Sequence, residues 1–532
     1  MAKKINKKII GIIVGVAAVL AIAAAVVIMK VQPKGMTVAV STLPDSLNPV
    51  LVQNTSGLNA NELIFDGLVN YTVDSVSKVR YPELALADSI EQDSDTKRIY
   101  TVVLRNTEWH DGIPLTADDV VYSFNAYTLP ENESPNREYL LSFIKNVTAK
   151  DDKTVLVEFR NPIPDYRAQA VLTFKIIPCK YNGKDMDVNL REGENERAFA
   201  TAPIGTGPFK LVKWEIGKWL TFQSNGIYIN GRPQADSLVI KRTIDPVVRM
   251  NELRKGRINV VLETNPMDRP TVAKIKDVDI NSYMPYAFYE IAINTKVFSN
   301  AEARQAMAMA LDKKNLVPGI TDNDENVCIN NGPFPSNFYQ KSMPEYRNSE
   351  MANLLPFDLS KAKNLAKKAN LSNQNATLIY PDSMGEFGKN LAEGVAKQLA
   401  EIGLKVEVRR AGDQVFNRTV FNEKNYEMAL IYRDGFDNIY SSLGDYYRST
   451  SKANITGISD KTLDSMFTAW EKEVSAPELI KKTDAINAKI SELSPALYLC
   501  TLQKDVYSRG LTNVAIGSDN PFLSVEYWKF KN

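Results

Sequence analysis

The chain has 532 residues, which is enough for about three domains. Its 64 basic and 63 acidic residues give a formal net charge of +1, without the basic excess that is typical of nucleic-acid-binding proteins. A single histidine argues against histidine-rich metal sites and against nucleophiles that need a histidine base. We therefore expect no nucleic-acid partner, no metal and no cofactor.

An uncharged apolar stretch, residues 9–29, follows four lysines at the start of the chain. As a helix it would span roughly 30 Å, the thickness of a bilayer core. It is either an uncleaved membrane anchor or a secretory signal that is cut after Ala23-Ala24-Ala25. The apolar run continues past that triplet, which favours the anchor. Both interpretations place the chain beyond the linker that ends at residue 35 outside the cytoplasm.

The three cysteines, Cys179, Cys328 and Cys500, permit at most one internal disulfide. None lies near the N-terminus, so the sequence offers no cysteine there for lipid attachment.

The first part of the body alternates between strand, helix and loop patterns. His110 belongs to an H-D-G turn, where we expect a structural role, and the next helix begins with Thr116 as N-cap and Asp119 as partner in an approximate capping box. The other predicted elements are a strand at 37–41, a proline loop at 43–49, a helix at 59–71 and strands at 99–104 and 154–159.

Residues 202–214, A-P-I-G-T-G-P-F-K-L-V-K-W, contain two prolines and two glycines close together. Glycine allows backbone angles that are closed to other residues, and proline restricts φ and lacks an N–H donor. The segment predicts a shaped turn that leads into a half-buried strand.

The second part of the body continues the alternation of strands and helices, which predicts mixed α/β structure with a partly parallel sheet. Asp245 is expected to cap a helix that starts at Pro246. The predicted strands are 219–223, 238–242, 258–262, 290–296, 376–380, 404–408 and 428–432, and the predicted helices are 246–255, 300–316, 358–370 and 386–402.

Several of these motifs resemble family 5 of the solute-binding proteins, the oligopeptide-binding proteins of ABC importers. They are G-T-G-P-F at 205–209, W-H-D-G-I-P-L-T-A-D-D-V-V-Y-S-F at 109–124 and A-R-Q-A-M-A-M-A-L-D-K at 303–313. Matches of this kind run in family order from about residue 43 to about residue 445.

The resemblance implies a two-lobed α/β clamshell of the periplasmic-binding-protein class. Residues 36–285 and 500–532 would form the first lobe, with an extra subdomain near 71–168, and residues 286–499 would form the second. The two crossings between lobes would act as a hinge that closes on a buried ligand.

The resemblance also implies a ligand site in the stretch 432–443, Y-R-D-G-F-D-N-I-Y-S-S-L. In peptide binders of the family an aspartate of this stretch pairs with the α-amino group of the ligand. Here Tyr432 takes the position of the aromatic residue, and the aspartate position falls on Gly435. Asp434 and Asp437 flank it, and a one-residue shift would restore amine recognition through Asp434.

Further candidates for ligand contact are Tyr440, Tyr286 across the hinge, and the loop residues Thr55 and Ser56. Each has a plainer interpretation. The tyrosines are also suited to core packing, and an aspartate beside Gly435 is also suited to capping a turn.

We therefore expect a monomeric, extracytoplasmic receptor that captures short peptides and delivers them to an ABC permease without catalysing a reaction. The same fold could bind a different solute, namely an oligosaccharide, an opine-like compound or a metal chelate. A membrane-tethered peptide sensor or chaperone without a transporter is another alternative. A glycosidase would need a defined pair of carboxylates, and no spacing in this sequence singles one out.

Overall fold

The computed structural model describes residues 35–531 except 75–79, 164, 265–267, 317–325, 336–350, 373, 435–438, 474 and 518–519, and it leaves out the side chains of 166, 439–442 and 476. The expected anchor or signal segment therefore lies outside the described residues. Among the helices that are described, none is both long enough and apolar enough to span a bilayer.

Helices of the described residues are numbered in chain order. They are α1 Thr55–Ile64, α2 Ala117–Thr128, α3 Arg137–Phe143, α4 Asp165–Val171, α5 Glu194–Thr201, α6 Pro246–Arg254, α7 Arg269–Val272, α8 Ala301–Met309, α9 Lys313–Leu316, α10 Leu359–Lys368, α11 Gly385–Ala400, α12 Asp413–Asn417, α13 Ile439–Tyr447, α14 Lys461–Glu471 and α15 Ala476–Leu493.

Strands are numbered in the same way. They are β1 Gly35–Val40, β2 Val69–Val73, β3 Arg80–Leu84, β4 Ala87–Gln92, β5 Ile99–Leu104, β6 Ile144–Asp151, β7 Thr154–Phe159, β8 Lys180–Tyr181, β9 Lys184–Asp185, β10 Phe209–Glu215, β11 Trp219–Ser224, β12 Ser237–Arg242, β13 Val260–Val261, β14 Val278–Tyr283, β15 Phe288–Ile293, β16 Val327–Ile329, β17 Asn375–Pro381, β18 Lys405–Ala411, β19 Met428–Arg433, β20 Ala496–Leu502, β21 Lys504–Arg509, β22 Leu511–Thr512 and β23 Lys529–Phe530.

The first lobe is built on a seven-stranded mixed sheet in the order β10-β11-β12-β1-β13-β21-β14. Strand β1 is parallel to both of its neighbours, β12 and β13, and β21 is antiparallel to β13 and β14. A four-stranded antiparallel sheet, β4-β5-β7-β6, forms the extra subdomain and shares one hydrophobic core with this lobe.

The second lobe is built on a six-stranded sheet in the order β16-β20-β15-β19-β17-β18. Strands β17, β18 and β19 are mutually parallel where they pair, whereas β15 is antiparallel to both β19 and β20. Its hydrophobic core is separate from that of the first lobe.

The chain passes between the two sheets at two places. The first is the step from Tyr283, which ends β14, to Phe288, which begins β15, and the second is the step from Leu502 to Lys504. Two short connections side by side are the arrangement expected of a hinge. The predicted residue limits of the domains stay predictions.

The glycine- and proline-rich turn at 202–208 packs against the C-terminal end of α1. The N–H of Gly207 donates to the carbonyl of Ile64 at 2.8 Å, and a Cβ on Gly207 would lie 2.6 Å from the Ile64 carbonyl carbon. On the other side His110 accepts a hydrogen bond from Gly205 N at its Nδ1 (3.2 Å) and donates one from Nε2 to Gly207 O (3.0 Å). The turn is thus locked to the helix and to the H-D-G turn, the structural role that we expected of His110.

Two predicted helices are wrong in extent. The helix expected at 59–71 starts earlier, at Thr55, and the chain leaves it at Phe65 in an extended conformation. The residues that follow form β2, which pairs with β3. The helix expected at 300–316 is interrupted after Met309, where the Asp312 N–H donates to Gln398 Oε1 at 2.7 Å. At the end of α1 the carbonyls of Ile64 and Asp66 also accept hydrogen bonds from the Gly207 and Ile176 N–H groups, so in both places a partner far along the chain outcompetes the local helical periodicity.

The three cysteines are free thiols. Cys328 lies opposite Thr501 and Cys500 lies opposite Ile329 on the paired strands β16 and β20, so the two cysteines point to opposite faces of the sheet. Burial raises the pKa of the Cys500 thiol to about 12. No disulfide links these positions.

Candidate functional site

A cavity of about 850 Å³, here called the central cleft, lies between the two lobes. Its walls come from α1, from the ends of β1 and β3, from β19 and from both hinge connections. Its lining includes Thr42, Thr55, Ser56, Glu62, Tyr71, Arg80, Glu263, Tyr289, Tyr432, Asp434, Lys504 and Asp505.

The first turn of α1 brings Thr55 and Ser56 to the cleft. Asn54 caps this helix by accepting a hydrogen bond from the Gly57 N–H at 2.8 Å, which fixes where the helix begins. The hydroxyl of Ser56 lies 2.9 Å from that of Thr42. A small polar wall therefore faces the cleft from the first lobe.

The wall from the second lobe is aromatic. Tyr432 on β19 lies directly opposite Tyr289 on β15, and the two rings are 5.0 Å apart. Phe387 packs edge-on against Tyr289, also at 5.0 Å. The ammonium group of Lys504 lies 5.0 Å from the centre of the Tyr432 ring, within the range of a cation–π contact.

Behind this wall, Arg433 and Glu290 form a fully buried ion pair. The Nε of Arg433 donates to Glu290 Oε1 at 2.8 Å, and Nη2 donates to the same oxygen. Burial opposes the charge of Arg433, but Glu290 outweighs it and raises the pKa of the guanidinium. The next residue, Asp434, is exposed and accepts a hydrogen bond at its carbonyl from the Tyr446 hydroxyl (2.8 Å). The ion pair and the tyrosine thus hold the end of β19 from which Asp434 reaches the cleft.

Arg80 crosses the hinge side of the cleft between two tyrosine rings. Its guanidinium carbon is 4.5 Å from the ring centre of Tyr71 and 5.0 Å from that of Tyr286. Tyr286 itself is 6% exposed and belongs to a hydrophobic cluster of the second lobe. The structure thus places Tyr286 beneath a cleft residue rather than in the cleft wall.

The charges of the cleft have both signs. Glu62 pairs with Lys175 at 2.6 Å, and Asp505 pairs with Arg269 at 2.5 Å. Glu263 accepts a hydrogen bond from the Ser41 N–H at 3.0 Å. Among the described residues, the wall of the cleft also includes the Asp434 carboxylate of the second lobe and the cations of Arg80 and Lys504.

The structure brings four of the predicted ligand residues together in the central cleft, namely Thr55, Ser56, Tyr432 and Asp434. Gly435 and Asp437 lie outside the described residues. Tyr440 lies in α13, and its side chain is outside the described part as well.

Sequence reasoning missed Arg80 and Lys504. A signal for Lys504 was present, because it follows the apolar strand A-L-Y-L-C-T-L almost directly and ligands of α/β proteins gather beyond strand ends. Arg80 had no such signal, since its place beside the cleft depends on the pairing of β2 with β3.

The arrangement is suited to binding. A cavity with aromatic walls and a few charged groups of both signs can orient a zwitterionic solute, and closure of the lobes would remove it from water. Among the described residues, no three His, Cys, Asp or Glu side chains are grouped so that they could hold a metal ion.

Comparison with known proteins agrees with this geometry. The model of the family described as bacterial extracellular solute-binding proteins, family 5 Middle, matches residues 82–455. The chain is 26% identical over 343 residues to the oligopeptide-binding protein AppA of Bacillus subtilis (strain 168), which covers 62% of this chain and 61% of that protein. It is 24% identical over 414 residues to the dipeptide-binding protein of Escherichia coli (strain K12), which covers 73% of this chain and 74% of that protein.

Among solved structures, the ABC transporter substrate-binding protein CtaP of Listeria monocytogenes superimposes with a TM-score of 0.80 at 22% identity. The superposition covers 94% of this chain and 100% of the other. This likeness establishes the two-lobed fold.

Proposed function

Since this chain belongs to family 5 of the bacterial extracellular solute-binding proteins, we propose that it captures peptides in the central cleft and delivers them to the permease of an ABC importer. Family 5 proteins are the binding components of such importers and are not enzymes. The identity of the solute and the permease partner are our proposal. We also propose that the chain acts as a monomer.

One observation carries the peptide proposal, namely that the wall of the cleft has the Asp434 carboxylate on the second lobe and the cations of Arg80 and Lys504, which lie against aromatic rings. Asp434 suits an α-ammonium group, and Lys504 and Arg80 suit a carboxylate. The rings of Tyr289 and Tyr432 suit side chains of many kinds. A short peptide is a zwitterion with variable side chains, so it matches this arrangement of charges and rings.

The size of the cleft is consistent with this proposal. Its volume of about 850 Å³ lies in the range of pockets that bury small organic ligands. The similarity to the oligopeptide-binding protein of Bacillus subtilis and the dipeptide-binding protein of Escherichia coli also supports a peptide.

The body of the chain acts outside the cytoplasm, as family 5 proteins do. We further propose that residues 9–29 remain as a membrane anchor. Mass spectrometry of the protein isolated from membranes tests this directly, since a cut after Ala25 removes a defined mass.

Isothermal titration with a mixed set of short peptides tests the binding proposal. We expect dissociation constants of about 1 µM or below, equivalent to about −8 kcal/mol. If no peptide binds, the peptide assignment is wrong. Native mass spectrometry of the freshly purified protein would then identify a solute of another class, such as an opine-like compound or a metal chelate.

The assignment of the two ends of the ligand is tested with paired changes in protein and peptide. Asp434→Asn should weaken the binding of a peptide with a free N-terminus about tenfold. It should not change the binding of the N-acetylated peptide, because acetylation has already removed the ammonium group. Lys504→Met should weaken the binding of a peptide with a free C-terminal carboxylate about tenfold and should not change the binding of the C-amidated peptide. Lys405→Met, on the exposed strand β18, is the control and should change neither.

Equal weakening of blocked and free peptides would contradict the assignment of the charges while leaving peptide binding intact.

A further inference from the structure

A second large cavity, here called the outer cavity, lies between the subdomain of the first lobe and helices α13 and α14 of the second. Its volume is about 580 Å³. The subdomain side comes from α3, the end of β7 and the start of α4, and the opposite side comes from Asp445, Arg448, Thr468 and Glu471. Both lobes therefore wall this cavity, as they wall the central cleft.

The subdomain side of the outer cavity combines aromatic and other apolar residues with the polar side chains of Glu138, Asn161 and Arg167. The rings of Tyr139 and Phe143 pack edge-on at 5.1 Å, and Ile163 is buried beside them. The guanidinium of Arg167 covers the Phe143 ring at 5.1 Å and donates through Nη1 to the carbonyl of Glu473 in the second lobe at 3.1 Å.

The second-lobe side is polar, but its main charges neutralise each other. Arg448 and Glu471 form an ion pair at 2.6 Å. The cavity thus presents aromatic rings to a bulky apolar group on its subdomain side and polar groups on its second-lobe side.

A small third cavity shares wall residues with both larger ones. This side cavity has a volume of about 170 Å³ and lies between α1 and α3. It shares Leu58, Glu62 and Thr173 with the wall of the central cleft, and it shares Tyr139 with the wall of the outer cavity. The three cavities therefore follow one another along the inner surface of the first lobe.

Tyr139 lines both the outer cavity and the side cavity. Burial raises the pKa of its hydroxyl; Tyr71 on the cleft side adds to the rise, and Arg167 on the outer side opposes it. Its ring thus lies within electrostatic reach of a residue of each large cavity.

We propose that the outer cavity is a distal subsite, which takes a bulky apolar side chain at one end of an extended peptide whose other end lies in the central cleft. This inference rests on the proposed function and adds a length and a side-chain class to it. A peptide in extended conformation gains roughly 3.3 Å per residue, so successive residues can pass α1 and α3 without folding back. The peptides preferred by this protein are then longer than those that the central cleft alone would hold.

The test uses isothermal titration of the full chain with alanine peptides of about two to about ten residues, each with phenylalanine or glycine at one end. We expect affinity to rise with length until the end reaches the outer cavity, and there we expect the phenylalanine peptide to bind at least about tenfold more tightly than its glycine counterpart. The shortest peptides should not distinguish phenylalanine from glycine in this way.

Variants that fill the outer cavity locate the effect. Ser142 on α3 and Thr468 on α14 are exposed and face the cavity from its two sides. Ser142→Trp and Thr468→Trp should each remove the gain of the long phenylalanine peptide and leave the shortest peptides within about twofold of the unmodified protein. Ser142→Ala and Ser94→Trp, the latter in an exposed turn of the same subdomain, should change neither.

Four outcomes would overturn the inference. Affinity that does not depend on length, or long-peptide affinity that is unchanged by both tryptophan variants, excludes a distal subsite while peptide binding itself stands. If Ser142→Trp weakens the binding of short and long peptides equally, the substitution acts on closure of the lobes rather than on a subsite. Failure of every peptide to bind overturns the proposed function and this inference with it.

Discussion

At the scale of single residues, the buried polar groups decide how the cleft is held. Arg433 and Glu290 have 4% and 0% of their side chains exposed, and they lie immediately behind the aromatic wall. An ion pair that is cut off from water needs both partners, because either charge alone would be left unsolvated. The end of β19 is therefore stabilised by a pair that tolerates no single replacement.

Glu290→Gln should lower the free energy of unfolding by about 3–5 kcal/mol, because it leaves the buried Arg433 guanidinium without a counter-charge. Urea denaturation measures the loss. The double variant Glu290→Leu, Arg433→Met removes both charges and should be more stable than the single variant. A double variant that is less stable than Glu290→Gln would show that the charges are not the source of the loss.

His110 should make the protein sensitive to acid. Burial lowers the pKa of His110 to about 4 from an ordinary value of 6.5. Above pH 6.5 the imidazole is neutral in both the folded and unfolded states. As the pH falls from 6.5 toward 4, only the unfolded chain takes up the proton, so the free energy of unfolding should drop by up to about 3 kcal/mol.

His110→Gln keeps an acceptor and a donor without a titrating group, so the comparison isolates this residue from the carboxylates that also titrate. The difference in unfolding free energy between the two proteins should shift in favour of the variant as the pH falls from 6.5 to 4. A difference that does not change with pH would contradict the buried neutral histidine.

At the scale of elements, close backbone contact explains the glycine- and proline-rich turn. A Cβ on Gly205 would collide with the carbonyl oxygen of Ile64, which is backbone and cannot move aside. The turn therefore needs glycine for space and sets the distance between α1 and the first sheet.

Gly205→Ala should destabilise the protein by about 3 kcal/mol or more, because the helix end and the turn must separate. Thermal or urea unfolding measures the change. Gly226→Ala is the matched control, since an added Cβ there meets nothing within 4 Å, and it should stay within about 0.5 kcal/mol of the parent. Similar small effects at both positions would mean that the turn does not need its close contact with α1.

The cap of α6 gives a smaller and more local prediction. The carboxylate of Asp245 accepts hydrogen bonds from the N–H groups of Val247 (2.7 Å) and Val248 (3.2 Å). Asp245→Ala should lower the free energy of unfolding by about 1 kcal/mol, whereas Asp245→Asn should keep most of the cap. Equal losses in the two variants would point to the charge rather than to the hydrogen bonds.

At the scale of the whole molecule, the proposed function requires the two lobes to close about the connections between Tyr283 and Phe288 and between Leu502 and Lys504. Contacts across the lobes bias this equilibrium. The hydrogen bond from Arg167 to the Glu473 carbonyl is one such contact, because it joins the subdomain of the first lobe to the second lobe.

Arg167→Ala should therefore raise the ligand-free radius of gyration measured by small-angle X-ray scattering and weaken peptide binding up to about tenfold, because the closed state loses population. Saturating peptide should restore the compact form. Arg98→Ala, which removes an ion pair to Glu158 within the subdomain, is the control and should leave the radius unchanged. An unchanged radius in Arg167→Ala would show that this contact does not bias closure.

The family motifs and the α/β alternation were sufficient to predict the fold class and the family, and both predictions are confirmed. Most strands were predicted within a few residues, because apolar runs between turn signals are local patterns. The helices expected at 59–71 and 300–316 were wrong in extent, since their true ends depend on hydrogen bonds and pairings with distant parts of the chain.

The site divides in the same way. The sequence by itself determined the chemistry available, which is an aromatic and acidic stretch near residue 432 and a polar loop near residue 55, because motif and composition are carried by neighbouring residues. The ligand roles of these residues stay predictions. Only the tertiary structure decided that Arg80 and Lys504 line the central cleft, that Tyr286 lies beneath Arg80, and that an outer cavity lies between the same two lobes. These facts depend on how two separately folded sheets meet, and surfaces that form between lobes leave no periodic signal along the chain.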